Sequence, residues 1–258
     1  MTEAPMTDPG TAMIVGVGPG LGWSLCRRFA EGGHPIALAA RDIDKLSPLI
    51  AEIESGGGTA RAYATDAADE ISVAGLFEAA ENDLGPVQVA IYNAAGRVAV
   101  RTGGGGGALG RNRQSILERN AVEFEDIWRV SCFGGMLVGR EAARRMVGRG
   151  AGTILFTGGS GSRRAEAFLT PFAVGKFGLR AVAMSMAREL GPKGIHVAHL
   201  LIEGSIDNET SRARDPKHAG NDGLMSTEAI AEAYYQTHLQ HRSAWAMEID
   251  LRPWSQPF

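Results

Sequence analysis

The stretch "TAMIVGVGPGLG", residues 11–22, decides how this chain is read. It opens with a short apolar run rich in β-branched residues and stops at glycines, as a buried parallel strand does. From 21 to 32 the pattern is helical, and the Gly32-Gly33 pair closes it. Between strand and helix, Gly16, Gly18, Gly20 and Gly22 alternate. Glycine accepts positive φ and carries no side chain that would keep a pyrophosphate away. The helix that begins at Leu21 offers free N–H groups and positive dipole density to an anion. The spacing met is G-x-x-x-G-x-G, through Gly16, Gly20 and Gly22, and not G-x-G-x-x-G. A strand, a glycine loop and a helix in that order point to a site for a dinucleotide phosphate.

Outward from this stretch, apolar strands alternate with helices to the end of the chain. The strands read as "PIALAA", "ARAYAT", "PVQVAIYN", "GTILFTGG", "IHVAHLLI" and a short one near 244–249. The helices read as 43–54, 70–85, 122–147, 170–190 and 227–240. Strands that are apolar on both faces need helices on both sides. That predicts an α/β fold: a single doubly wound Rossmann domain with a mostly parallel sheet, over 12–258, after a tail at 1–11. Right-handed crossovers put the strand C-terminal ends on one edge, where ligands bind. One stretch breaks the pattern. "RVAVRTGGGGGALGRNRQ", 97–114, is glycine-rich, basic and without periodicity. It reads as a surface insertion or as a flap over the ligand edge, with arginines suited to an anion.

Composition narrows the function. The net charge of −3 lacks the basic excess that nucleic acid or an acidic membrane surface would require. Cys26 and Cys132 lie far apart in helical patterns and read as buried thiols rather than a disulfide. The N-terminal residues show no signal-peptide pattern, and no apolar run reaches about 18 residues. A soluble cytoplasmic protein is the expectation. The six histidines show no ligand spacing, and His196 and His199 fall on opposite faces of a strand, so no metal site is expected.

With the glycine spacing in hand, the chain resembles the short-chain dehydrogenases/reductases. The matching pieces are "GVGPGLG", "YNAAG" after the fourth strand, "GTILFTGGS", and "FAVGKFGLRAVAMSMARELGPKGIHV". The resemblance runs from about residue 12 to about 249. It implies an NAD(P)-dependent oxidoreductase that moves a hydride between the nicotinamide and a small carbonyl or alcohol. It places Asn93 and Gly96 beside the cofactor and Asp66 at the adenine, although Asp66 also reads as a helix N-cap. NAD enzymes of the family keep an acid where this chain has Ala40. Arg41 follows, a cation able to pair with a 2′-phosphate. NADP(H) is therefore the preferred reading, while Asp42 keeps NAD(H) open. Gly204 and Ile206 match positions at the nicotinamide. Relatives dimerise or tetramerise through the helices at 122–147 and 170–190, which implies a homodimer or homotetramer.

The family's chemistry uses asparagine, serine, tyrosine and lysine, and here the pattern departs. Lys176 matches the lysine. Phe172, on the same helix face, stands where the tyrosine would, without a hydroxyl. The serine position is Gly159, with Ser160 next to it, and Ser131 takes the asparagine position. The longer tyrosine–lysine spacing of enoyl reductase relatives is also absent, because that position is Thr170. A proton would then come from water, from Ser160 or from Lys176, whose pKa falls if it is buried. Glu203 replaces the family's proline after the sixth strand, as a proton carrier or as a turn residue facing water. Tyr63 and Tyr92 lie in strands. Tyr234 and Tyr235 lie in a late helix that borders the pocket in relatives, and packing is the plainer reading for both. Two functions remain open: an oxidoreductase with a non-standard proton donor, or a nucleotide-binding scaffold or sensor without turnover.

Overall fold

The computed structural model describes residues 9–96 and 113–256. Seven strands form one parallel sheet: β1 (Thr11–Val15), β2 (Ile36–Ala40), β3 (Ala60–Ala64), β4 (Val87–Tyr92), β5 (Gly152–Thr157), β6 (Ile195–Ile202) and β7 (Glu248–Leu251). Their order is β3-β2-β1-β4-β5-β6-β7, and every pairing is parallel. The order reverses between β1 and β4, which opens a crevice at the strand C-terminal ends. The helices are α1 (Leu21–Glu31), α2 (Ser47–Ser55), α3 (Glu70–Leu84), α4 (Ala121–Trp128), α5 (Gly134–Met146), α6 (Thr170–Leu190), α7 (Glu209–Arg214) and α8 (Thr227–His238).

Alternate strand residues point to opposite faces, and both faces are covered. Ile14, Leu38, Ile91, Leu155 and Leu200 join Phe29 and Tyr234 in one core under α1 and α8. Met13, Val15, Ala90 and Phe156 join Phe77, Leu137 and Leu179 in the other, under α3, α5 and α6. This double burial is why the strands read as continuous apolar runs. Among the described residues, no helix is long and apolar enough to cross a membrane.

Four expectations about elements are corrected. The helix expected at 43–54 begins as a 3-10 turn, Asp44–Leu46, and becomes α-helical at Ser47, where Pro48 suits the first turn. The helix expected over 122–147 is interrupted by a π turn at Arg129–Phe133. There the Tyr92 hydroxyl takes the Val130 carbonyl, and Gly134 lets the backbone approach the Tyr92 oxygen, which a Cβ would meet at 2.5 Å. Helix α7 lies in a stretch that reads as loop. It starts at a reciprocal cap between Asn208 and Ser211, which six residues are too few to announce by periodicity. The last strand begins at Glu248, because residues 242–244 are drawn into a 3-10 turn capped by His241. Most of the 97–114 stretch lies outside the described residues.

Candidate active site

The phosphate loop is built as the glycines suggest. Gly16 and Gly20 hold φ of 94° and 106°, values that L side chains rarely adopt. A Cβ on Gly16 would also stand 2.5 Å from the Ala94 nitrogen. At Gly18 and Gly20 nothing lies within 4 Å of a built Cβ, so the loop faces open space. Helix α1 has no side-chain cap and no acid in its first turn. Its leading N–H groups, at Leu21 and Gly22, therefore keep their donor capacity for an anion. A Cβ on Gly22 would press on Val17 at 3.0 Å, so this glycine lets the helix start close to the loop. These features fit a dinucleotide pyrophosphate.

At the adenosine end, Arg41 is exposed just past β2 and makes no hydrogen bond or ion pair with the described residues. Asp42 is ion-paired with Lys45. The Asp66 carboxylate accepts from Ala68 N at 2.9 Å in a tight turn. The N-cap reading of Asp66 is corrected: Asp69 caps α3, accepting from Ser72 N at 2.6 Å. In the centre, Asn93 Nδ2 donates to the Gly16 carbonyl at 3.0 Å, and Gly96 N donates to Ser131 Oγ at 2.9 Å. Ser131 is buried against Gly175, where a Cβ would sit 2.6 Å from the serine Cβ.

Lys176 lies on α6 one turn after Phe172 and is only 4% exposed. Its Nζ donates to the Thr157 carbonyl at 2.7 Å. Burial pushes its pKa down from 10.5 to about 8. The Phe172 ring lies over the 3-10 turn Ser160–Ser162, where a Cβ on Gly161 would stand 2.5 Å from ring Cε1. The two serines of this turn differ. Ser160 is half-buried, lines a small cleft with Arg164, Leu169 and Phe172, and makes no side-chain hydrogen bond among the described residues. Ser162 is fully buried, with its hydroxyl 3.2 Å from His199 Nε2.

Glu203 corrects an expectation. It does not face water: it is 1% exposed, and its Oε1 lies 2.6 Å from an Arg164 guanidinium nitrogen. Neither carboxylate oxygen is aligned for a hydrogen bond, so the pair is held by charge. Sequence reasoning missed Arg164, which sits in an aperiodic loop with no spacing to mark it. Gly204 packs under Pro253 and Met225, where a Cβ would lie 2.8 and 2.9 Å from their side-chain atoms. Ile206 bridges Met225, and its carbonyl accepts from Ser211 Oγ at 2.7 Å. Tyr234 is fully buried and donates to Thr157 Oγ1 at 2.8 Å. Tyr235 packs under Arg28, whose guanidinium carbon lies 3.7 Å from the ring centre.

Residues 10–217 match the family model for short chain dehydrogenase. The chain belongs to the short-chain dehydrogenase family. It is thereby an NAD(P)-dependent oxidoreductase by kinship. A short-chain dehydrogenase from Rhodopseudomonas palustris is 36% identical, with a TM-score of 0.77 over 95% of this chain and 99% of that one. The 1-deoxy-11-beta-hydroxypentalenate dehydrogenase of Streptomyces exfoliatus is 28% identical over 229 residues, 85% of this chain and 76% of its own length. A metagenomic short-chain oxidoreductase solved in complex with NADP shares the fold at 19% identity, with a TM-score of 0.75 over 96% of this chain and 99% of that one.

Proposed function

We propose that this short-chain dehydrogenase is NADP(H)-dependent, acts on a small carbonyl or alcohol, and uses Lys176 as its proton carrier in place of a tyrosine. The observation that carries the reading is the buried Lys176 ammonium, held on Thr157 beside an apolar Phe172. With a pKa of about 8, Lys176 holds a proton at neutral pH and can release it. An acid works best when its pKa lies near the working pH. An ammonium has three donors, and Thr157 takes one.

When bound, NADP(H) supplies the hydride in reduction and accepts it in oxidation. Lys176 gives a proton to the substrate oxygen in the first direction and recovers it in the second. Ser160, with its uncommitted hydroxyl, donates a hydrogen bond to that oxygen and polarises the carbonyl. Phe172 walls the cleft and excludes water. Ser131 anchors the Gly96 loop beside the nicotinamide.

For the cofactor, Gly16, Gly18, Gly20, Leu21 and Gly22 take the pyrophosphate. Arg41 takes the 2′-phosphate, which Asp42, engaged with Lys45, does not contest. Asp66 borders the adenine, Asn93 and Gly96 line the crevice, and Gly204 and Ile206 meet the nicotinamide end. The NADP in the metagenomic structure supports the same choice. Val174 and Phe177, each 40% exposed on α6, support a homo-oligomer built on that helix.

A fluorescence titration with NADPH and NADH tests the cofactor, followed by a screen of aldehydes and ketones with NADPH. Tight NADPH binding, weak NADH binding and turnover lost in Lys176→Ala are the expected results. Turnover retained in Lys176→Ala would remove the lysine from the chemistry.

A further inference from the structure

Four linked hydrogen bonds run through Thr157 and Asn93; three of them are made by Thr157 itself, two of these with partners far from it in sequence. Tyr234, on α8, donates to Thr157 Oγ1 at 2.8 Å. Thr157 Oγ1 donates to Asn93 Oδ1 at 3.1 Å. Asn93 Nδ2 donates to the Gly16 carbonyl at 3.0 Å. From the other side of the sheet, Lys176 Nζ donates to the Thr157 carbonyl at 2.7 Å. Helix α8 is thus wired to the first glycine of the phosphate loop, through the residue that also anchors the lysine.

The wiring has a direction. A hydroxyl owns one hydrogen, and its rotor turns to suit its partners. Because Tyr234 donates to the Thr157 oxygen, the threonine hydrogen is free to point at Asn93. That fixes the asparagine amide, carbonyl towards Thr157 and NH2 towards Gly16, which is otherwise an assignment between two similar ends. Gly16 holds a φ of 94°, so its peptide is poised in a conformation that its partners must maintain. Tyr234 itself is fully enclosed, and burial raises its pKa, so it remains a neutral donor across the working pH range. A chain of bonds in a dry interior is stronger than its separate links.

We infer that Tyr234 is a positioning residue for the cofactor: its hydroxyl, acting through Thr157 and Asn93, sets the Gly16 peptide and so the affinity of the phosphate loop for NADP(H). The inference rests on the cofactor reading above. It assigns a function to a tyrosine that touches neither cofactor nor substrate. Loss of the Tyr234 hydroxyl frees the Thr157 rotor and lets the amide turn, while the apolar packing of the ring remains.

The test is a titration of the full-length protein with NADPH, followed by nucleotide fluorescence, for wild type, Tyr234→Phe, Thr157→Val, Thr157→Ser and Tyr235→Phe. Melting temperatures are measured alongside. Tyr234→Phe and Thr157→Val should each raise the NADPH Kd about 5- to 20-fold, the range of one or two buried hydrogen bonds. Thr157→Ser keeps the hydroxyl and should bind within about twofold of wild type. Tyr235→Phe, outside the chain of bonds, keeps the ring that packs under Arg28 and should leave Kd within about twofold of wild type. Wild-type affinity in either Tyr234→Phe or Thr157→Val overturns the inference, and the second variant decides if the first does not fold. Equal weakening in Thr157→Ser and Thr157→Val would also overturn it, because packing would then be the cause. A wild-type chain that binds no NADPH strikes the cofactor reading itself and takes this inference with it.

Discussion

The Cζ atom of Phe172 lies 3.7 Å from the point that a Cβ on Gly159 would occupy. The next neighbour of that point is the Ile202 carbonyl at 3.8 Å, and Gly159 has an extended φ of −167° that any residue adopts. A side chain at position 159 therefore has room for its Cβ beside the Phe172 ring. Phe172→Tyr combined with Gly159→Ser should fold and reduce carbonyls faster, by about 10²-fold or more if general acid catalysis limits the rate. Steady-state kcat on a carbonyl found in the screen checks it. An unimproved double variant would mean that the native proton route is already adequate. Gly161→Ala is the contrasting case, because its Cβ would collide with the Phe172 ring at 2.5 Å and should lower the melting temperature.

Lys176 makes two opposed demands visible. As a proton donor it works only while protonated, so the reductive rate should fall as pH rises through about 8, and the oxidative rate should rise. For stability, its folded pKa lies below its ordinary 10.5, so carrying the charge inside costs free energy below pH 8. That cost fades between pH 8 and 10.5. Lys176→Met should abolish turnover and yet stabilise the fold at pH 7 by about 1–3 kcal/mol, less whatever the Thr157 carbonyl loses. Thermal melts at pH 7 and at pH 10.5 read the sign, and a variant equally destabilised at both would contradict it.

Arg41 is exposed and unpaired among the described residues, while Asp42 is held by Lys45. A charge-assisted contact to a 2′-phosphate contributes about 1.5–3 kcal/mol. Arg41→Ala should therefore weaken NADPH binding about 10- to 100-fold and leave NADH within about twofold. Parallel titrations with both nucleotides decide this, and equal losses would mean that Arg41 contacts something common to the two.

Buried histidines make the fold sensitive to acid. Burial, reinforced by His34 and His196, lowers the pKa of His238 to about 4, and burial also lowers His196 and His199. Lys176 adds to the depression of His199, and Glu248 opposes it. These rings are neutral when folded, whereas the unfolded chain takes up protons near 6.5. The stability they contribute is complete above pH 6.5 and is lost as pH falls towards 4. His238 hydrogen-bonds Thr153 at 2.9 Å, so His238→Gln should lower stability at pH 7 but flatten its slope between pH 6.5 and 4. Denaturant melts across that window measure the slope, and an unchanged slope would acquit His238.

Arg164 and Glu203 should behave as a buried half-pair. Arg164→Leu leaves a 1% exposed carboxylate without its cation and should cost about 1–3 kcal/mol, less than for a pair buried on both sides because the guanidinium is half exposed. Adding Glu203→Gln should recover much of that loss, because a neutral amide is cheaper to bury than a carboxylate. Additive losses in this double-mutant cycle would show that the two groups do not depend on each other.

Sequence alone determined the frame. Apolar runs such as 195–202 and the helical stretch 170–190 coincide with β6 and α6, because burial on both faces of a parallel sheet writes itself into composition. The glycine loop was legible for a local reason, since the positive φ at Gly16 and Gly20 is a property of neighbouring residues, whereas Lys176 and Phe172 were singled out by the family resemblance. Only the tertiary structure decided which hydroxyl is free and which is committed. Ser160 and Ser162 are two residues apart, and His199, from β6, takes the second. Arg164 and Glu203 are 39 positions apart and meet only because a loop folds over the end of β6. Tyr234 finds Thr157 across 77 residues. Periodicity records how deeply a residue lies; which partner closes its hydrogen bond is set by segments that the fold brings from elsewhere in the chain.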